Sequence, residues 1–225
     1  MELRAEKISR DFLRPSAPQG FFMAVEETDF SLRAGDFFAV TGRSGSGKST
    51  LLKMLAGLMA PGTGRVLLDD TDIYRLDEAE LAELRSRKIG LAPQTLMALS
   101  SLTVQENILL PCSLYGVARE AEPRALQLME RLGIAHLKSA DPAELSGGEL
   151  RRLTLARALV RDADVLLLDE PTGDLDDENT RLVFALLREE AAHGRAVLVV
   201  THEREAADYA DRLYRMEAGK LELSS

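Results

Sequence analysis

The residues GRSGSGKS at 42–49 constrain what this chain can fold into more than any other stretch. They match the spacing G-x-x-x-x-G-K-[ST], and they stand between an apolar run, DFFAVT (36–41), and a helical pattern, KSTLLKMLAG (48–57). That context predicts a strand, a phosphate-cradling loop and a helix. Gly42, Gly45 and Gly47 let backbone N–H groups curl around phosphate oxygens without a Cβ in the way. The helix N-terminus adds its partial positive charge. Lys48 can reach the outer phosphates, and the Ser49 hydroxyl can ligate Mg2+. A merely flexible loop needs neither group.

A second stretch, DVLLLDE (164–170), reads as a buried strand ending in two carboxylates. In an open α/β sheet that is the edge where a ligand lies. Asp169 can hold Mg2+ through water, and Glu170 can polarise an attacking water. The plainer reading is an acidic helix entry, but PTG at 171–173 makes a turn instead. His202 follows the strand RAVLVV (195–200) and reaches the same edge, where a neutral imidazole can bond a γ-phosphate; a solvated histidine is the alternative there, and the reading for His136 and His193. Gln94, after KIGLA, can ligate Mg2+ through its amide and bridge to a moving lobe.

Short apolar runs alternate with longer helical patterns, the signature of a mostly parallel sheet flanked by helices. GRVLLDD (64–70) predicts a strand, ELAELRSR (80–87) a short helix, and DDENTRLVFALLREEAAHG a helix after the Asp-Glu pair. A short helix near 203–209 and a strand RLYRME (212–217) close the pattern. Strand signals vanish from about 95 to 160. There VQENILLPCSLYG (104–116) and REAEPRALQLMERLGI (119–134) read as helices, Pro111 kinking or ending the first. We therefore expect one domain over 1–225, with a core at 1–94 and 162–225 and an inserted helical lobe at 95–161. In the helix at 150–160, Leu150, Leu153, Ala156 and Val160 share one face, with arginines opposite.

A net charge of −9 argues against nucleic acid as a partner. No window approaches the ~20 apolar residues that span a bilayer, and the start lacks a signal-peptide core, so no direct membrane insertion is expected. The single cysteine, Cys112, suits a reducing compartment and a buried position.

LSGGE (145–149) poses a puzzle. Ser146 and Glu149 make a capping box, yet the first turn it caps holds Gly147 and Gly148, each costing roughly 1 kcal/mol against alanine within a helix.

With these residues in place, the chain resembles the ATP-binding subunit of ABC transporters over nearly its whole length. GRSGSGKST is similar to the Walker A loop, DVLLLDEP to Walker B, Gln94 to the Q-loop, LSGGE to the signature loop, GDLD (173–176) to the D-loop and His202 to the switch histidine. LRSRKIGLAPQ with LTVQENILLP looks most like the class of lipoprotein-release, macrolide-export and cell-division ATPases.

The resemblance implies a P-loop fold with an N-terminal antiparallel β-subdomain beside the parallel sheet. It implies ATP and Mg2+ as ligands, with Arg43, Ser44, Ser46 and Thr50 joining the loop contacts. It also implies a homodimer on ATP binding, each nucleotide meeting Ser146, Gly147 and Gly148 of the opposite chain, with Asp176 coupling the two sites. A separate transmembrane permease would hold the protein on the inner face of the cell membrane, from the cytoplasm. Phe12 occupies roughly the place of the adenine-stacking aromatic, but the RPSAPQGFF segment leaves Phe21 or Phe22 as alternatives.

Two departures stand out. Glu149 replaces the usual glutamine, a change also found in the ATPase of iron–sulfur cluster assembly, and Asp174 stands where the export class has asparagine. The cytosolic assembly ATPase is thus one alternative function. A P-loop kinase is another, though a kinase needs neither LSGG nor the paired Asp-Glu.

Overall fold

The computed structural model describes residues 1–15 and 20–224. Among these described residues, ten strands form two sheets. β1 (Glu2–Leu13), β2 (Phe21–Arg33), β4 (Thr63–Leu68) and β5 (Thr71–Asp72) make an antiparallel sheet in the order β2-β1-β4-β5. The second sheet contains β3 (Phe37–Thr41), β6 (Ile89–Ala92), β7 (Val165–Asp169), β8 (Ala196–Thr201), β9 (Arg212–Glu217) and β10 (Lys220–Leu223). Its order is β10-β9-β3-β8-β7-β6, parallel throughout except for β10. The mixed α/β fold with its antiparallel subdomain is the one expected.

The central strands are continuous apolar runs because both of their faces are covered. On β3, Phe37 and Ala39 join Leu166, Leu168, Val197 and Val199 in one core. That core packs against α3 (Val104–Ser113), α4 (Ala118–Arg131), α5 (Gly147–Leu159) and α6 (Asp177–Ala192). The alternate residues Phe38 and Val40 join Leu167, Leu198 and Val200 in a second core beneath α1 (Lys48–Leu55) and the antiparallel sheet. α2 (Glu78–Lys88) leads into β6. The parallel sheet is thus a wall between two cores, and its C-terminal edge carries the loops that follow β3, β7 and β8.

The structure departs from the sequence periodicity in several places. α1 ends at Leu55, short of 57, and the segment near 203–209 is a 3-10 turn over Arg204–Asp208. α3 ends at Ser113, two residues after Pro111. The arginines of α5 are not a solvated face: Arg151 is buried, as are most residues around that helix. β9 is not the last strand, since a turn at Ala218 and Gly219, both with positive φ, folds β10 back onto it. Two positive φ values at the tip define a type I′ hairpin, usually announced by Asn-Gly, and Ala-Gly carries no such signal.

Candidate functional site

The loop 42–47 lies between β9 and β2. A Cβ on Gly42 would fall 2.2 Å from the Met216 carbonyl oxygen, and one on Gly47 would fall 2.0 Å from that of Ala24. Gly47 also has φ 111°, a conformation side chains rarely adopt. The hairpin turn buttresses the loop, with Gly219 N–H donating to Ser46 O at 3.0 Å and Glu26 N–H donating to Gly219 O at 2.8 Å. Within the loop, Lys48 Nζ donates to the carbonyls of Gly42 (2.7 Å) and Arg43 (3.2 Å) and lies 3.9 Å from Glu170 Oε1.

A cleft of about 820 Å³ opens beside the loop. It gathers Arg43 through Thr50, Gln94, Glu170 and His202 with Phe12 and Phe22. Gly42 lines the adjoining hollow on the other side of the loop. Phe12 and Phe22 are register partners across β1 and β2, so both aromatics face the cleft, while Phe21 pairs with Leu13 and is exposed. Residues 16–19 of the intervening RPSAPQGFF segment lie outside the described residues.

Glu170 has φ 50°, uncommon outside glycine, and its Oε2 accepts from Thr201 Oγ1 (2.8 Å), His202 N–H (3.2 Å) and His202 Nδ1 (2.9 Å). An ionised carboxylate only accepts, so the ring proton in that contact sits on Nδ1. Nε2 of a neutral His202 then carries a lone pair. This amends the sequence reading, because a bond from Nε2 to a phosphate requires a protonated ring or release of Nδ1 from Glu170.

Asp169 is buried, and one of its oxygens, Oδ1, has no hydrogen-bond partner among the described residues. Burial pushes its carboxyl up from the ordinary aspartate value, while the Ser49 hydroxyl beside it pulls the other way and the Glu170 charge adds to the rise. Asp169 lies behind the cleft lining, beside the Ser49 hydroxyl, and Ser49 and the Gln94 amide both line the cleft. The buried, under-satisfied carboxylate, the hydroxyl and the amide are hard oxygen donors of the kind that fit Mg2+.

Ser146, Gly147, Gly148 and Asp176 do not line the cleft within this chain. Ser146 caps α5: its N–H and Oγ donate to Glu149 Oε2 at 2.8 and 2.7 Å. Asp176 caps α6, accepting from the N–H and side-chain amide of Asn179. Asp77–Glu80 and Thr103–Glu106 build the same capping box on α2 and α3 without a glycine. The glycines are therefore no requirement of the box. A Cβ on Gly148 would be tight against Asp174 O at 3.2 Å, whereas one on Gly147 would meet only Asp174 Cβ at 3.9 Å. Packing within the chain gives a reason for Gly148 and none for Gly147.

Arg151, which the amphipathic pattern placed toward solvent, ties the pieces together. It donates to Gln94 O (2.9 Å) and Gly173 O (3.1 Å) and lies 3.4 Å from Asp174 Oδ2. Thr201, also missed, holds Glu170; its threonine-histidine sequence alone gives no sign that the hydroxyl is buried against a carboxylate.

This fold and cleft define a P-loop nucleoside triphosphatase. The family model described as ABC transporter matches residues 25–173. The lipoprotein-releasing system ATP-binding protein LolD of Shewanella sp. (strain MR-4) is 40% identical over 200 residues, covering 88% of this chain and 87% of its own. The macrolide export ATP-binding/permease protein MacB of Brucella abortus (strain 2308) is 41% identical over 191 residues, 84% of this chain. The chain spans only 30% of that relative's length. A dimeric bacterial ABC transporter cassette superposes with a TM-score of 0.90 at 28% identity over 98% of both chains. The same cassette in a post-hydrolysis dimer bound to ADP and Pi gives 0.89 at 27% identity, again over 98% of both chains. The chain belongs to the ABC transporter ATP-binding family and is an ABC ATPase.

Proposed function

We propose that this protein is the ATP-hydrolysing subunit of an export-type ABC system, closing as a head-to-tail homodimer around ATP and driving a separate membrane permease. The single observation that carries the composite site is Gly147: a glycine in a helix turn where its own chain leaves room for a side chain. A backbone N–H face without side chains suits close approach of a phosphate held by a second copy.

In this reading residues 42–50 cradle the triphosphate, Lys48 exchanging the Gly42 and Arg43 carbonyls for phosphate oxygens. Phe12 or Phe22 stacks on adenine; that both rings line the cleft supports this. Ser49, Asp169 and Gln94 would hold Mg2+, which supplies neutralisation of charge on the β- and γ-phosphates. Glu170 orients the attacking water and takes its proton as the γ-phosphoryl group leaves ADP. His202 holds Glu170 and, on release or protonation, reaches the γ-phosphate. Ser146, Gly147 and Gly148 meet that phosphate from the other chain, and Asp176 lies at the junction of the two sites.

No helix among the described residues is long and apolar enough to cross a membrane. Attachment to the inner face of the cell membrane would therefore run through the permease, from the cytoplasm. The relatives above are named for lipoprotein release and macrolide export, which supports the export class; nothing in them favours iron–sulfur assembly.

The test is steady-state hydrolysis without any acceptor substrate. Wild type releases phosphate from ATP, and Glu170→Gln lowers the rate by about 10²–10⁴-fold while nucleotide binding persists. A Glu170→Gln protein as fast as wild type would overturn the reading.

A further inference from the structure

We propose that Thr201 is a positioning residue for hydrolysis, its buried hydroxyl fixing which oxygen of Glu170 faces the water. The inference rests on the reading of Glu170 given above. Thr201 is 0% exposed at the end of β8, paired with Thr41 of β3. Its Oγ1 accepts from Glu203 N–H at 3.1 Å. That contact uses the acceptor side, so the one hydroxyl hydrogen points to Glu170 Oε2 at 2.8 Å. The Glu203 side chain is held as well, because Thr172 Oγ1 donates to Glu203 Oε2 at 2.5 Å across the turn that follows Glu170.

Glu170 is thereby stapled twice to β8, through its own N–H to Val200 O at 2.8 Å and through Oε2 to Thr201. A non-glycine residue at φ 50° persists only where its surroundings over-determine it. The His202 ring shares Oε2 but is 67% exposed, free to swing away, whereas Thr201 cannot. With Oε2 so engaged, Oε1 is the remaining oxygen; it takes no hydrogen bond among the described residues and faces Lys48 at 3.9 Å. Thr201 thus selects Oε1 as the base and holds its aim while His202 moves.

Three variants test this. Thr201→Val keeps the shape, loses the hydroxyl, and should lower kcat about 10- to 100-fold with KM for ATP little changed. Thr201→Ser keeps the hydroxyl and should stay within a few-fold of wild type. Adding Thr201→Val to Glu170→Gln should cause no further loss, since residues acting as one unit are non-additive. If valine prevents folding, Thr201→Ala is read in its place, with melting temperature recorded for each protein. A wild-type kcat in the valine variant would overturn the proposal. So would equal losses with serine and valine, or the same factor lost in the Glu170→Gln background. Each of these outcomes leaves the role of Glu170 standing, whereas a fully active Glu170→Gln overturns both.

Discussion

Ser146 and Glu149 close on each other at the head of α5, the serine's N–H and hydroxyl both donating to one carboxylate oxygen at 2.8 and 2.7 Å. The carboxylate is thereby turned back along its own helix end. A negative charge otherwise disfavoured near a triphosphate becomes a cap.

Glu149→Gln should therefore leave hydrolysis within a few-fold of wild type. Its effect lies in stability and pH. The Ser146 hydroxyl, then its N–H, hold the Glu149 carboxyl below the ordinary glutamate value. A depressed folded value means the contribution is present above the unfolded value, near ~4.3, and is lost as pH falls through the folded one. Melting curves of the two proteins should differ at neutral pH and converge only once the pH has fallen below the depressed folded value. A large change in hydrolysis rate would show that Glu149 faces the nucleotide.

Gly147→Ala separates stability from activity. The Cβ has room within the chain, and alanine is the better helix former by about 0.5–1 kcal/mol. Thermal melting should rise by about 1–3 °C. Hydrolysis should fall on the order of 10²-fold if the added methyl displaces a phosphate held by the other chain. Stability and activity rising together would place the glycine outside the reacting assembly.

Asp169→Asn tests the metal assignment. Burial raises the Asp169 carboxyl, so its charge costs stability at neutral pH, a cost that is lost as pH falls through the folded value to the ordinary aspartate one. Without added nucleotide, the asparagine variant should melt at or above the wild-type temperature at pH 7. Its Mg2+-dependent hydrolysis should drop about 10–100-fold. Loss of stability with unchanged Mg2+ dependence would contradict the assignment.

Much of the site is written in contiguous motifs, because a phosphate loop needs its glycines, lysine and hydroxyl at fixed spacing. Lys48, Glu170, His202 and Gln94 could be placed at one sheet edge from strand signals alone. Arg151 could not. Its neighbours on α5 alternate in a way that assigns arginine to solvent, and only the turn at 173–174 and the main chain of Gln94, distant in sequence, make burial favourable. Thr201 was hidden for a similar reason, since one hydroxyl in an apolar strand reads as ordinary β-branched filling. The β9–β10 hairpin escaped because Ala218 supplies a positive φ that sequence rules reserve for asparagine or glycine. Of the three phenylalanines that the sequence offers for stacking, strand register brings Phe12 and Phe22 together at the cleft, while Phe21 pairs with Leu13 and is exposed.

The most direct test of the composite site is the mass of the Glu170→Gln protein in solution, by light scattering with and without MgATP. Added ATP should shift the protein from the 24.7 kDa monomer to twice that mass, and Ser146→Arg introduced into the same chain should reverse the shift. A protein that binds ATP and remains a monomer would contradict the composite site, as would a dimer indifferent to Ser146→Arg.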